Sequence, residues 1–214
     1  MEKANELANQ KNTSGLADLI KIILRPIQAE HIRNAYLNEP HAAIGELFYS
    51  DLGLNCVLPE FKKTFSELLH TDLCRILDNA YFPKLNLASD VTLPTSWHPN
   101  SIVNTSGMIG KGLRCGQFVQ SENHKVMLTY PLGIGWVANG NHSIIQAIIR
   151  GEGEITPIEV YDLSPIIRSV KFDGQQWLCI KSKKSLGMPR YQEFGWVWEI
   201  GRLIIEIEDN PFRG

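Results

Sequence analysis

An α+β fold is predicted by three observations. Apolar residues recur at helical spacing from residue 16 to about residue 80. From about residue 117, short apolar runs separated by turn residues take over. Among those runs stands one strand–turn–helix–strand unit. The expected architecture is an N-terminal helical region packed on a small mixed sheet, with that unit at its centre. A chain of 214 residues can bury a sizeable core as one large domain or two small ones. The simplest division is a flexible leader over 1–15, a helical region over 16–82 and an α/β region over 83–214.

The elements follow in order. Residues 1–15 are polar and end in Asn12-Thr13-Ser14-Gly15, which reads as a frayed leader. Leu16, Leu19, Ile20, Ile23, Leu24 and Ile27 make one buried helical stripe, which Pro26 should bend or end. A second helix is expected over Ala42–Tyr49. A third should start at Pro59 and run through Phe61, Phe65, Leu68, Leu69, Leu73, Ile76 and Leu77. Pro83, Pro94 and Pro99 then punctuate a polar stretch without helical period.

Strands are expected at 118–119, 126–130, 134–138 and 156–161, with a helix over 143–150. Residues 170–172 and 177–181 flank Asp173-Gly174, a hairpin signal. Residues 191–208 fit a helix through Phe194, Val197, Trp198, Gly201, Ile204 and Ile205. They also alternate through Trp196, Trp198 and Ile200 as strands do, and Gly201-Arg202 keeps a hairpin open. Their length without a strong turn pair favours the helix.

Composition excludes some functions. The net charge is −2, which argues against a duplex-binding surface over much of the protein. The apolar run from Ile20 to Leu24 is too short to cross a bilayer. Cys56, Cys74, Cys115 and Cys179 form no CxxC pair, so buried reduced thiols in the cytoplasm are expected.

The chemistry concentrates at Asn139-Gly140-Asn141-His142-Ser143. Asn and Gly tolerate positive φ, so the backbone can approach a ligand closely. The helix that follows presents N–H groups without intrahelical partners and the positive end of its dipole. That arrangement suits a phosphate or another anion. Ile144, Ile145, Ile148 and Ile149 form the buried side of the helix, Ala147 allows close packing, and Gly151 closes it.

Other candidates surround this segment. Thr105–Gly116 is glycine-rich and basic but lacks P-loop spacing, because Gly112 follows Lys111. Its functional version is a loop closing over His142, with Lys111 or Arg114 reaching an anion. His98, His124 and His142 match no metal-ligand spacing, and no metal site is assigned. Asp162 ends a strand beside the helix unit and reads as a solvated turn residue. Lys181, Lys183, Lys184 and Arg190 read as an exposed basic loop. Trp196 and Trp198 read as core or interface anchors.

The run Asn139–Gly151 resembles the ParB/sulfiredoxin-like superfamily, whose signature helix is entered by an Asp-Gly-x-His-Arg motif. The family's His falls on His142, its small helix residue on Ala147 and its closing Gly on Gly151. The strand Ile158–Asp162 is similar too, and the likeness covers about residues 125–162. The run Asn139–Ser143 within Trp136–Leu163 also resembles an uncharacterised bacterial family of unknown function.

The superfamily likeness implies a nucleotide or other phosphate-bearing ligand. Gly140 and Asn141 would offer N–H groups, and His142 would touch a phosphate or move a proton. The implied cofactor is a nucleoside triphosphate with Mg2+, and action on nucleic acid and self-association stay open. Ser143 stands where the family has Arg, which removes a permanent charge and a planar fork and argues against phosphoryl transfer. Two further functions fit the sequence. One is a non-enzymatic interaction protein of a mobile or defence locus with a degenerate loop. The other is a metal-assisted nuclease.

Overall fold

The computed structural model describes residues 1–37, 52–54, 56–69, 71, 74–75, 83–95 and 99–208. Helix α1 (Glu2–Asn9) and helix α2 (Thr13–Leu37) open the chain. The expected leader is therefore helical as far as Asn9. Ala4 is buried, and Leu7 and Ala8 pack on the core, which gives this polar stretch an apolar side. Asn12 Oδ1 accepts from the Gly15 N–H at 2.8 Å at the start of α2.

Pro26 does not end α2, which continues to Leu37. A proline removes one intrahelical donor, but tertiary packing outweighs that loss here. Leu16, Ile20, Leu24 and Ile27 are buried in one stripe. Gln28 Nε2 donates to the Thr92 carbonyl at 2.8 Å, and the Arg25 guanidinium to that of Ala88 at 2.7 Å.

The helix expected over Ala42–Tyr49 lies outside the described residues. The helix expected from Pro59 does not form as one piece. A small antiparallel hairpin, β1 (Val57–Leu58) and β2 (Lys63–Thr64), turns through Pro59, and helix α3 (Phe65–Leu68) starts only after it. The reason is local. Thr64 and Glu67 form a reciprocal capping box, with the Thr64 N–H donating to Glu67 at 2.7 Å. That bond and a second from the Thr64 hydroxyl, which donates to the same carboxylate at 2.8 Å, hold the Glu67 carboxyl below the usual range. Strand β3 (Cys74–Arg75) then occupies part of the expected helix.

The polar stretch carries short elements: β4 (Leu85–Asn86), β5 (Thr92–Leu93) and helix α4 (Pro99–Thr105). Pro99 stands at the first helical position, where its missing N–H costs nothing. Then come β6 (Lys125–Tyr130), β7 (Ile134–Asn139), helix α5 (Asn141–Arg150), β8 (Glu154–Ile155) and β9 (Glu159–Asp162). The expected strand at 118–119 is not assigned, and the one expected at 156–161 is strand only from Glu159 on. Helix α6 (Ser164–Ser169) precedes β10 (Val170–Phe172), β11 (Trp177–Cys179) and β12 (Ser185–Gly187), and helix α7 (Gln192–Ile207) follows.

The sheet is mixed, with strand order β3-β9-β6-β7-β5. Strand β6 pairs antiparallel with β7 and parallel with β9. The strands flanking α5 therefore run in opposite directions, with β6 between them. Strands β10, β11 and β12 form a separate antiparallel sheet. Their first loop spans residues 173–176, where Asp173 Oδ1 accepts from the Gln175 and Gln176 N–H groups at 2.9 Å.

Residues 192–207 are helical, as their length favours. Phe194, Val197, Trp198, Ile200, Ile204 and Ile205 are buried, whereas Trp196 faces out. Trp198 Nε1 donates to the Val170 carbonyl at 2.9 Å. Arg202 reaches the Ile167 and Val170 carbonyls and pairs with Glu199 at 3.1 Å. One hydrophobic cluster joins the α2 stripe to Trp136, Trp177, Phe194 and Trp198, so residues on both sides of residue 82 share a core. Among the described residues, no helix is long and apolar enough to cross a membrane.

Candidate functional site

Strand β7 delivers the chain to Gly140, which sits at φ 80° and ψ 20° as the N-cap of α5. This is the left-handed region, where a residue with a Cβ is strained. Space demands glycine as well. An added Cβ would lie 2.5 Å from His124 Cδ2 and 3.0 Å from the Asn123 carbonyl oxygen. As a glycine, the cap residue itself has no side chain to give. The Gly140 carbonyl accepts from the Ile144 N–H at 3.1 Å and so begins the helical ladder.

The five expected residues come together but face different ways. Asn139 is exposed, and its Nδ2 donates to Asn123 Oδ1 at 2.8 Å. Asn141 is buried, and its Oδ1 accepts from the Thr95 N–H at 2.7 Å. Its side chain thus fastens α5 to the end of β5. His142 and Ser143 are half-buried on the first turn. On the core side of α5, Ile144, Ile145 and Ala147 are buried, but Ile148 is half-buried and Ile149 exposed. At the far end Gly151 closes the helix at φ 64°, as its position suggested.

A second segment meets this start. The turn Ser121–His124 closes through the His124 N–H to the Ser121 carbonyl at 2.9 Å. His124 is buried, and its ring lies 4.9 Å from that of Phe118. Its Nδ1 accepts from the Ser121 N–H at 2.9 Å. A backbone N–H can only donate, so this nitrogen carries no proton and the neutral ring holds its hydrogen on Nε2. Burial also pushes the imidazole below its ordinary value. The next residue, Lys125, is exposed and pairs in register with Asn139 across β6 and β7.

The glycine-rich loop lies elsewhere. Its Lys111 N–H donates to Glu152 Oε2 at 3.1 Å, and the Phe118 N–H to Glu152 Oε1 at 3.1 Å. Gly110 abuts Arg150. The loop is folded on itself, with Gly110 N–H to Gly116 O at 2.8 Å and Cys115 N–H to Met108 O at 2.9 Å. It therefore packs on the C-terminal end of α5. Ten residues of helix separate that end from Gly140, about 15 Å at the usual rise. Lys111 is not brought to the helix start, and Arg114 belongs to the same remote loop. An open groove of about 680 Å³ lies at this far end, lined by Lys84, Asn86, Phe118, Gln120, Glu152 and Thr156.

Residues 1–211 match one protein-family model, described as a family of unknown function, DUF6710. The chain belongs to the DUF6710 family. No curated protein and no solved structure matches it. Membership in DUF6710 assigns no chemistry, so what the site can do rests on its residues.

Among the described residues, no group of three or more His, Cys, Asp or Glu side chains converges as metal ligands would. His98 lies outside the described residues. Asp162 is not a solvated turn residue: it is buried, and its Oδ1 accepts from the Ser164 N–H at 3.0 Å at the entry to α6. Cys115 is exposed, against the expectation of burial, and Cys179 is buried as expected. Lys181, Lys183 and Lys184 are exposed, and Arg190 stands over the Tyr191 ring at 5.2 Å. Sequence reading considered His124 only as a metal ligand and passed over Lys125. The available signal was the pairing of two adjacent strands, which sets Lys125 against Asn139.

Proposed function

We propose that the protein binds a phosphate-bearing ligand, a nucleotide, at the start of α5. The observation that carries this reading is the helix cap: Gly140 in the left-handed region, a residue with no side chain, delivers the chain into the first turn. The N–H groups of a helix's first turn and the helix dipole together favour a negative group there. The likeness of Asn139–Gly151 to the ParB/sulfiredoxin-like helix supports a nucleotide as the ligand class. Ser143 lacks the charge and planar fork of an arginine, so the reading is of binding rather than phosphoryl transfer.

Gly140→Val is a poor test, because a Cβ there strains the backbone and strikes His124. Ser143→Asp is better. It places a negative charge at the third helical position, which the dipole tolerates, and it repels a phosphate. In a thermal-shift screen against nucleoside mono-, di- and triphosphates, with and without magnesium, wild-type protein should gain apparent Tm with one nucleotide class. Ser143→Asp should melt at or above the ligand-free wild-type value and gain nothing. No gain with any nucleotide overturns the reading and favours the non-enzymatic interaction protein, for which Trp196, exposed on α7, is the anchor.

A further inference from the structure

Strand β8 pairs with β4 along one edge only. In an antiparallel pair, opposite residues alternate between those that exchange backbone hydrogen bonds and those whose N–H and C=O point outward. The Leu87 N–H donates to the Gly153 carbonyl at 2.9 Å, and the next pair in the register sets Asn86 opposite Glu154. Glu154 is therefore an outward-pointing position. Its N–H and C=O face away from β4, and neither makes a hydrogen bond among the described residues. An edge of this kind is a template for another strand.

The groove at the far end of α5 is lined by Glu154 and Thr156, and also by residues 117–120. Thr156, two residues on, has its backbone satisfied from that second segment. Its N–H donates to Gln120 Oε1 at 2.7 Å, and its C=O accepts from Gln120 Nε2 at 2.9 Å. A side-chain amide thus makes both bonds that a paired strand would make. Two residues before Glu154, Glu152 Oε1 accepts from the Phe118 N–H at 3.1 Å. Side chains therefore tie residues 118–120 to residues 152–156 at two points. The backbone of Glu154 lies between the ties, beside an open space of about 680 Å³.

Charge selects the occupant. Glu152 is held by the neutral N–H groups of Lys111 and Phe118, which leave its negative charge in place. Glu154 pairs with Lys84 at 3.2 Å, and both side chains are exposed. With two carboxylates against one ammonium, this lining repels a nucleic acid backbone. Pairing β8 with the β8 of a second copy would bring two Glu154 carboxylates together, which is destabilising. A basic side chain opposite Glu154 is stabilising.

We propose that the groove takes an extended peptide segment of a partner protein, which adds as a strand to β8 at Glu154 and carries a lysine or arginine opposite it. The main chain of Glu154 supplies the pairing bonds, and its carboxylate supplies the preference for a basic residue.

The test pans the full chain against a phage-displayed library of random linear heptapeptides. Selected sequences should share a lysine or arginine at one fixed place. The same selection on Glu154→Lys should put an acidic residue at that place. Glu154→Pro removes the outward N–H without touching the ladder to β4. It should bind the best selected peptide about tenfold more weakly than wild type, the size of a lost hydrogen bond. In proton–nitrogen spectra of wild type, that peptide should shift the Glu154 amide.

The Glu154 side chain is exposed, so Glu154→Lys keeps the test open should Glu154→Pro fail to fold. A failure to select peptides overturns the proposal, as do selected peptides that bind Glu154→Lys as tightly as wild type. A dimer in sedimentation velocity that Glu154→Pro abolishes, with no peptide selected, also overturns it and gives the edge to a second copy of the chain.

Discussion

At the scale of single residues, His124 makes a prediction that needs no ligand. Its folded imidazole lies below the ordinary histidine value because it is buried. As the pH falls, the unfolded chain takes up its proton first, and unfolding is favoured. The stability given by the neutral ring is whole above about pH 6.5, the unfolded value, and is lost as the pH falls through the lower folded value. The melting temperature of wild type should therefore fall below about pH 6.5 more steeply than that of His124→Gln. Parallel curves would show that the ring does not titrate in this way. Gly140 makes a second prediction. Gly140→Ala should cost about 1–3 kcal/mol in denaturant unfolding, from left-handed strain and the clash with His124. An unchanged midpoint would mean that the turn relaxes freely. The turn at Asn139-Gly140 was legible in the sequence because Asn and Gly act locally. The place of His124 was not, because it depends on β6 and β7 pairing 14 residues apart, Lys125 with Asn139.

At the scale of elements, local signals competed with packing, and neither won everywhere. Pro26 marks a helix end by its chemistry, yet α2 runs through it on a buried stripe and on Gln28 and Arg25 bonds to residues more than 60 positions away. No local rule reports such bonds. Between Pro59 and Leu77 the opposite error occurred. Helical spacing was real, but the Thr64–Glu67 box starts a helix where the spacing was already under way. In α7 the glycine at 201 looked like a break, and a second glycine shows why helices keep them. Gly195 lies inside contact distance of the Phe172 ring, leaving no room for a Cβ. Gly195→Ala should gain about 1 kcal/mol of helix propensity and lose about 1–3 kcal/mol to overpacking. Because Phe172 is buried and its ring rigid, the loss should win. Chemical denaturation of the variant decides the sign, and a stabilised protein would mean that Phe172 swings aside.

At the scale of the whole molecule, the composition change near Pro83 suggests a seam that the core does not show. Leu16, Ile20, Leu24 and Ile27 on α2 belong to the same cluster as Phe194, Val197 and Trp198 on α7. Polar bonds cross the same boundary: Gln28 to Thr92 at 2.8 Å, Trp177 Nε1 to the Leu52 carbonyl at 2.6 Å, and Tyr191 to Glu30 at 3.2 Å. Each buried aliphatic side chain on α2 is worth about 1.5–3 kcal/mol, so the four together contribute about 6–12 kcal/mol. That is the size of an entire domain's net stability, about 5–15 kcal/mol. Residues 83–214 expressed alone therefore forfeit enough burial to unfold, and they leave the Leu52 and Glu30 partners of Trp177 and Tyr191 behind. The fragment should show no cooperative thermal transition and weak near-ultraviolet circular dichroism, while adding residues 1–82 as a separate chain should restore both. A fragment that melts cooperatively by itself would establish the seam, and the α2 stripe would then be a layer added to a sheet already stable without it.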